Sequence, residues 1–458
     1  MTFSPELAEI RFGYGLSPRI APPATPLDML QSVAAPDTMA QTYPIDGYAG
    51  FLPRVLKMRE LRDIANRDRS KKDALKAFRK ARNETRNLGL KWTVATLMRA
   101  TQSPGAFRER LVAFWADHFT AMGKNGILLA AGATYIEDAI RPHVAGSFSD
   151  MLRAVVTHPV MLHYLDQNRS VGPGSAAARV KRRLDGLNEN LAREVMELHT
   201  LGVGGPYTQD DVRQLAELFT GLSYDFKKGF RFKPRFAEPG YETVLGRQYG
   251  GDPARLAPVL QALDDLAAHP ATAGHIARKL AVHFVSDTPD PDLVAQIEAR
   301  FGETGGNLMA LYSALLEHPA AWSGTLSNVK PPVDFIASTW RALAVRPDHA
   351  LEIKPGDIRR LVERPLQLMG QPWQRPNGPD GWPEQDAAWI TPQGVSARLR
   401  WAMSAPGLLQ PDLPDPRRFV DQALGGFATR TVRFAAASAE SRAEAIGLVL
   451  ASPAFQRR

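Results

Sequence analysis

The stretch from Asn188 to Leu222, NENLAREVMELHTLGVGGPYTQDDVRQLAELFTGL, sets the fold class. Asn188 is placed to cap a helix, and Gly202, Gly204 and Gly205 are natural stop signals for it. Thr208 with Asp211 three residues on opens a second helix as a variant capping box, with Val212, Leu215, Ala216 and Phe219 on one face. The stretch therefore predicts an αα-hairpin. Its link is too long for the turn of a DNA-reading helix-turn-helix, and the second helix carries one basic residue, Arg213. At about 100° per residue, Leu191, Val195 and Leu198 share a face flanked by Ala192 and His199, while Asn190, Arg193, Glu194 and Glu197 lie on the other side.

Outward from this hairpin the chain keeps reading as helix. In FRERLVAFWADHF, Phe107, Leu111, Phe114, Trp115 and His118 follow the stripe of a buried helical face. Pro159 suits the first turn of a helix over 160–165, and the loop beginning Asp166, Asn168, Arg169 precedes the central hairpin. Residues 223–249 alternate aromatics with charges around Lys228-Gly229, the pattern of a β-hairpin. Beyond Asp252 the periodic apolar positions are again helical, interrupted by GQPWQRPNGPDGWPEQDAAWITP (370–392), which holds Trp373, Trp382, Trp389 and five prolines. The expected architecture is mainly α, a multi-helical globular array with one small β-hairpin insertion at about 223–250. It reads as one unit over 1–458, with sub-regions 1–180, 181–250 and 251–458.

Composition narrows the function classes. An apolar fraction of 44% with 23% charged residues fits a globular chain rather than a disordered one. No apolar run reaches the ~18 residues of a membrane span. The N-terminus lacks the basic and apolar regions of a signal peptide, so a cytoplasmic location is expected. The absence of cysteine removes disulfides, thiolate metal sites and a cysteine nucleophile. The net charge of +8 is local: residues 54–91 carry 14 Lys/Arg against five acids, and the remainder is at −1. That segment reads as one long helix in which Leu61, Ile64, Leu75 and Phe78 are too sparse for a deep core. Phe78 is its only aromatic, so it offers no stacking platform for bases, and nucleic acid is not the expected partner.

The stretch LNENLAREVMELHTLGVGGPYTQDDV closely resembles the signature of the bacterial "domain of unknown function 1800" family. FWADHF (114–119), HPVMLHYLDQNRSVGP (158–173), HPATAGHIARKLAVHFVSD (269–287), KPPVDFIASTWRAL (330–343) and MGQPWQRPNGPDGWP (369–383) extend the resemblance over nearly the whole chain. It implies a mainly helical fold without an established activity, cofactor or catalytic set. Many members carry an export signal, which this chain lacks, and are encoded beside a sulfatase- or phosphatase-like partner.

Glu194 and Glu197, one turn apart, are the candidate acid/base pair, with Arg193 orienting them, Asn190 on the same side and His118 assisting. Asp166, Asn168, His199, Trp373, Arg375 and Trp382 are the candidate ligand contacts, the tryptophans offering flat faces to a sugar-like or other amphipathic ligand. The competing reading of the polar helix face is a solvated ladder, Glu189–Arg193–Glu197. His118, on an apolar stripe, reads equally as a core histidine. No metal or cofactor is assigned: the Glu-x-x-His spacing fails because Thr200 follows Glu197 by three, and His-Glu-x-x-His is absent. A hydrolase- or transferase-like enzyme is the leading expectation. A non-catalytic accessory protein holding a hydrolase-like partner is the alternative, and nucleic-acid binding through residues 54–91 the third.

Overall fold

The computed structural model describes residues 3–67, 72–124, 128–180 and 186–458. The central hairpin is present, with its second helix spanning Gln209–Leu218. Both bonds of the capping box form: Thr208 Oγ1 accepts from the Asp211 N–H at 3.2 Å, and Asp211 Oδ2 accepts from the Thr208 N–H at 2.8 Å. The first helix differs from the regular one expected. It is α-helical over Asn190–Glu194 and then widens into a π turn over Val195–His199. The extra residue in that turn shifts the helical phase. Met196 and His199 are consequently fully buried with Val195, whereas Leu198 is only half-buried. Asn188 sits one residue outside the cap, where its Oδ1 accepts from the Asn190 N–H at 3.0 Å. The link turns on Gly202 at φ +87, where a Cβ would stand 3.1 Å from the His275 ring.

Three helical segments open on a His-Pro pair, and in each the imidazole Nδ1 accepts the N–H two residues on. His158, His269 and His318 bond Val160, Ala271 and Ala320 at 3.1, 3.1 and 3.2 Å. Proline has no N–H to cap, so the histidine serves the next donor.

Two antiparallel hairpins follow the central helices where one was expected. β1 (Leu222–Asp225) pairs with β2 (Gly229–Phe232), and β3 (Gly240–Val244) with β4 (Arg247–Gly251). The second turns on Leu245 and Gly246, both at positive φ. A Leu-Gly pair is a weak signal for such a turn, which usually carries Asn-Gly.

The basic segment is two helices rather than one. Tyr48–Arg67 and Lys72–Gln102 pack on each other, while residues 68–71, with Arg69 and Lys71, lie outside the described residues. Phe51, Val55, Met58, Ala81 and Thr85 form the buried contact. Every described lysine and arginine of the segment is exposed, from Arg54 to Lys91, as a solvated face requires.

The buried apolar side chains form two clusters. The larger includes Phe12, Phe107, Trp115, Phe148, Leu215, Phe284 and Tyr312. The second joins Leu90, Val94 and Met98 of the long helix to Phe335, Trp340, Trp401, Ile446 and Leu450. Arg341, fully buried on the helix Pro332–Ala342, links the two. Its Nε donates to Gly15 O at 2.8 Å, Nη1 to Thr101 O and Ser103 O at 3.1 and 2.9 Å, and Nη2 to Glu9 Oε2 at 2.9 Å. Arg341→Met would strand the Glu9 carboxylate and three carbonyls out of water. It is expected to destabilise the fold by about 3–5 kcal/mol, read as a lower urea midpoint; an unchanged midpoint would show that the link carries little.

Candidate functional site

The sequence candidates fall into two groups. The polar face of the central helix forms the ladder: Arg193 meets Glu189 at 3.2 Å and Glu197 at 3.3 Å, and Gln209 Oε1 accepts from it at 3.0 Å. Arg193 is thus directed to Glu197 rather than to Glu194. Asn190 and Arg375 are exposed, Asn168 is half-buried, and Asp166 pairs with Lys124 at 2.7 Å. Glu194 is half-buried, and burial, then Glu197 and Asp380, push its carboxyl up to about 7 against the pull of Arg193. None of these residues lines the partly open cleft, but Trp373 and Trp382 do.

That cleft, of about 200 Å3, runs between the helix Ala106–His118 and the tryptophan-rich loop. The helix buries its aromatic stripe on one side and turns a small-residue face, Ala113, Ala116 and Asp117, to the cleft. Trp373, Trp382 and Trp389 form the facing wall, the last two with ring centroids 6.2 Å apart. The loop is fastened to the helix at one point. Trp382 N–H donates to Asp117 Oδ1 at 3.0 Å. Gly381, at φ +80, lies so close that a Cβ would meet the Asp117 carbonyl and carboxylate at 2.7–2.8 Å.

Asp117 and Glu384 have opposite electrostatic settings. Burial, reinforced by Glu384 and Asp380, pushes Asp117 up to about 7, with Lys279 and the Trp382 N–H opposing. Burial also works against the charge on Glu384, but His283, Lys279 and Arg110 outweigh it and hold that carboxyl below the usual glutamate value. His283 Nδ1 lies 2.9 and 3.0 Å from the two Glu384 oxygens, and its Nε2 is 3.1 Å from Arg110 Nη2. A guanidinium only donates, so Nε2 accepts and Nδ1 carries the proton toward Glu384. Arg110 in turn bonds Asp334, which also receives Arg458 Nη1 at 2.6 Å. One carboxyl is poised to hold a proton near neutrality and the other to lack it, the division of labour that acid/base chemistry needs.

His118 and His199 lie behind the helix, not in the cleft. Both are buried, with ring centroids 6.2 Å apart, and His275 stands 6.0 Å from His118. His118 Nε2 meets His199 O at 3.2 Å, while neither nitrogen of His199 has a protein partner. Burial first, then Lys279 and His275, depress His199 to about 3, so it is neutral in the fold. Among the described residues no three His, Asp or Glu side chains are grouped as metal ligands.

Asp117, Glu384, His283 and Arg110 were not singled out by sequence reasoning, although all four lie in the FRERLVAFWADHF, AVHFVSD and GWPEQD stretches. The available signal was Ala113 and Ala116, small residues that fall off the buried stripe of Phe107, Leu111, Phe114 and Trp115 and line the cleft. A larger, open groove of about 590 Å3 lies between the helix Tyr48–Arg67 and the first hairpin. There Arg59 covers the Phe226 ring at 4.8 Å, the flanking Glu60 and Arg67 are exposed, and the buried titratable group in the lining is the Tyr224 phenol.

Fold and site together define a mainly helical protein with a partly open, largely apolar cleft, holding a few polar groups, between one helix and an aromatic loop. A family model described as "Protein of unknown function (DUF1800)" matches residues 9–457, and the chain belongs to that family. Neither a curated protein nor a solved structure matches it. No helix among the described residues is long and apolar enough to cross a membrane.

His199 binds its proton more weakly folded, at about 3, than unfolded, near the ordinary 6.5. Its contribution to stability is complete above 6.5 and is lost as pH falls toward 3. His199→Leu is therefore expected to gain stability relative to wild type as pH falls from 7 to 4, measured as the difference in Tm. A pH-independent difference would contradict the buried neutral imidazole.

Proposed function

We propose that this protein is a hydrolase- or transferase-like enzyme whose acid/base pair is Asp117 and Glu384. The observation that carries this reading is the opposite displacement of two carboxyls lining one cleft. Asp117, protonated up to about pH 7, donates its proton to the leaving group. Glu384, ionised and held by His283, takes a proton from the attacking water or hydroxyl. One proton enters and one leaves, so the pair returns to its starting state after a proton crosses between the two groups through solvent. Asp380 acts as nearby negative charge on both Asp117 and Glu194, raising each. This reading places the acid/base pair in the cleft, whereas the sequence expectation was Glu194 and Glu197, of which Glu194 is also raised to about 7 by burial and then Glu197.

A substrate-independent test comes first. The carbon-13 carboxyl spectrum of wild type minus Asp117→Asn should show one group titrating near 7; a group ionised at pH 5 sinks the assignment. The raised value also means that Asp117 stabilises the fold below the ordinary 3.8 and that this stabilisation is lost as pH rises through about 7. Asp117→Asn should therefore gain stability relative to wild type above neutrality. On whichever chromogenic ester, glycoside or amide the wild type turns over, Asp117→Asn and Glu384→Gln should each lose about 10²–10⁴-fold in kcat/KM. Full turnover by both variants would refute the pair.

A further inference from the structure

The charges lining the cleft say what kind of group it accepts. Each lining guanidinium is already engaged by a carboxylate of the protein. Arg99 meets Glu137 at 2.6 Å, Arg141 meets Glu109 at 2.8 Å, and Arg110 meets Asp334. His283 is likewise engaged within the protein, its Nδ1 2.9 Å from Glu384 and its Nε2 3.1 Å from the Arg110 guanidinium. The two carboxyls at the tryptophan end are different. Among the described residues, neither Asp117 nor Glu384 has a lysine or arginine nitrogen within salt-bridge distance. Asp117 receives the Trp382 N–H and Glu384 the His283 ring. Lys279 is felt by both, but it lies outside the cleft lining.

The aromatic wall has the matching property. The Tyr14 ring is already covered by the Arg110 guanidinium at 5.3 Å. Among the described residues, no lysine or arginine lies over Trp373, Trp382 or Trp389, so these faces retain their full attraction for a cation. A space of about 200 Å3 is smaller than the ~300–1,000 Å3 of pockets for drug-sized ligands, and suits one compact group.

We infer that the cleft binds the organic ammonium group of a small substrate, seated between the ionised Glu384 carboxylate and the faces of Trp373 and Trp382, with the Asp117 carboxyl lining the same space. Phosphate and sulfate monoesters and free carboxylates are disfavoured at the same place, because no lining lysine or arginine is free to receive them. This rests on the cleft being the substrate site, as proposed above, and assigns its ligand class.

Three probes of nearly equal size and different charge test it: tetramethylammonium, tert-butanol and pivalate, titrated against the full chain by tryptophan fluorescence and calorimetry. Tetramethylammonium is expected to bind about tenfold more tightly than tert-butanol, with no saturable binding of pivalate. Glu384→Gln should weaken tetramethylammonium about tenfold and leave tert-butanol unchanged. Methylammonium separates the two sources of affinity: it gains on tetramethylammonium where the Glu384 carboxylate dominates and loses to it where the tryptophan faces do. Equal or tighter binding of tert-butanol or pivalate overturns the inference, as does the lack of a saturable response to either ammonium ion. The charge series needs no variant and no turnover, so its failure is separable from that of the acid/base pair. An inverted series beside an inactive Asp117→Asn refutes the ligand class alone. The expected series beside a fully active Asp117→Asn refutes the pair alone.

Discussion

A single buried guanidinium joins the pieces from which the cleft is made. Arg341 comes from the helix Pro332–Ala342, yet its guanidinium bonds Glu9, the Gly15 turn and the carbonyls that close the long helix Lys72–Gln102. Three segments far apart in sequence are thereby fixed to one planar fork, which tolerates little displacement. The helix Ala106–His118 begins just after the bonded carbonyl of Ser103, so its position follows from that contact. Asp334, two turns before Arg341 on the same helix, then meets Arg110 from the other side. The two apolar clusters supply most of the driving force for collapse, but they are not directional. The guanidinium bonds determine where the cleft-lining side chains end up relative to one another.

Much of the fold was legible because its signals are local. Capping residues, proline at the first helical turn and the buried stripe of Phe107, Leu111, Phe114, Trp115 and His118 all act within one or two turns of helix. The errors arose where local rules were insufficient. The π turn at Val195–His199 breaks the assumed spacing without any residue that announces it. The second hairpin turns on Leu-Gly, and the basic segment divides into two helices.

The site was less legible, for a physical reason. His118 was read from FWADHF because histidine draws attention, yet on a helix the adjacent Asp117 points about 100° away. The histidine enters the core and the aspartate enters the cleft. The partners of Asp117 lie more than 250 residues on, in a loop whose path no periodicity describes. Trp373 and Trp382 were conspicuous as aromatics in a proline-rich loop, a pattern that fits a pinned loop as well as a ligand surface, and both line the cleft, half-buried. Their carboxylate counterparts could be assigned only after the loop was placed over the helix.

The contact between Gly381 and Asp117 makes the cleft dependent on an absence of atoms. A side chain at position 381 would face an unfavourable φ and would collide with the aspartate it now touches. The smallest such change, one methyl group, would displace the backbone N–H of Trp382 that Asp117 accepts. It would alter the protonation of the carboxyl and the position of the aromatic wall together, without adding or removing a charge. Position 381 is therefore tightly constrained although its residue has no chemistry of its own.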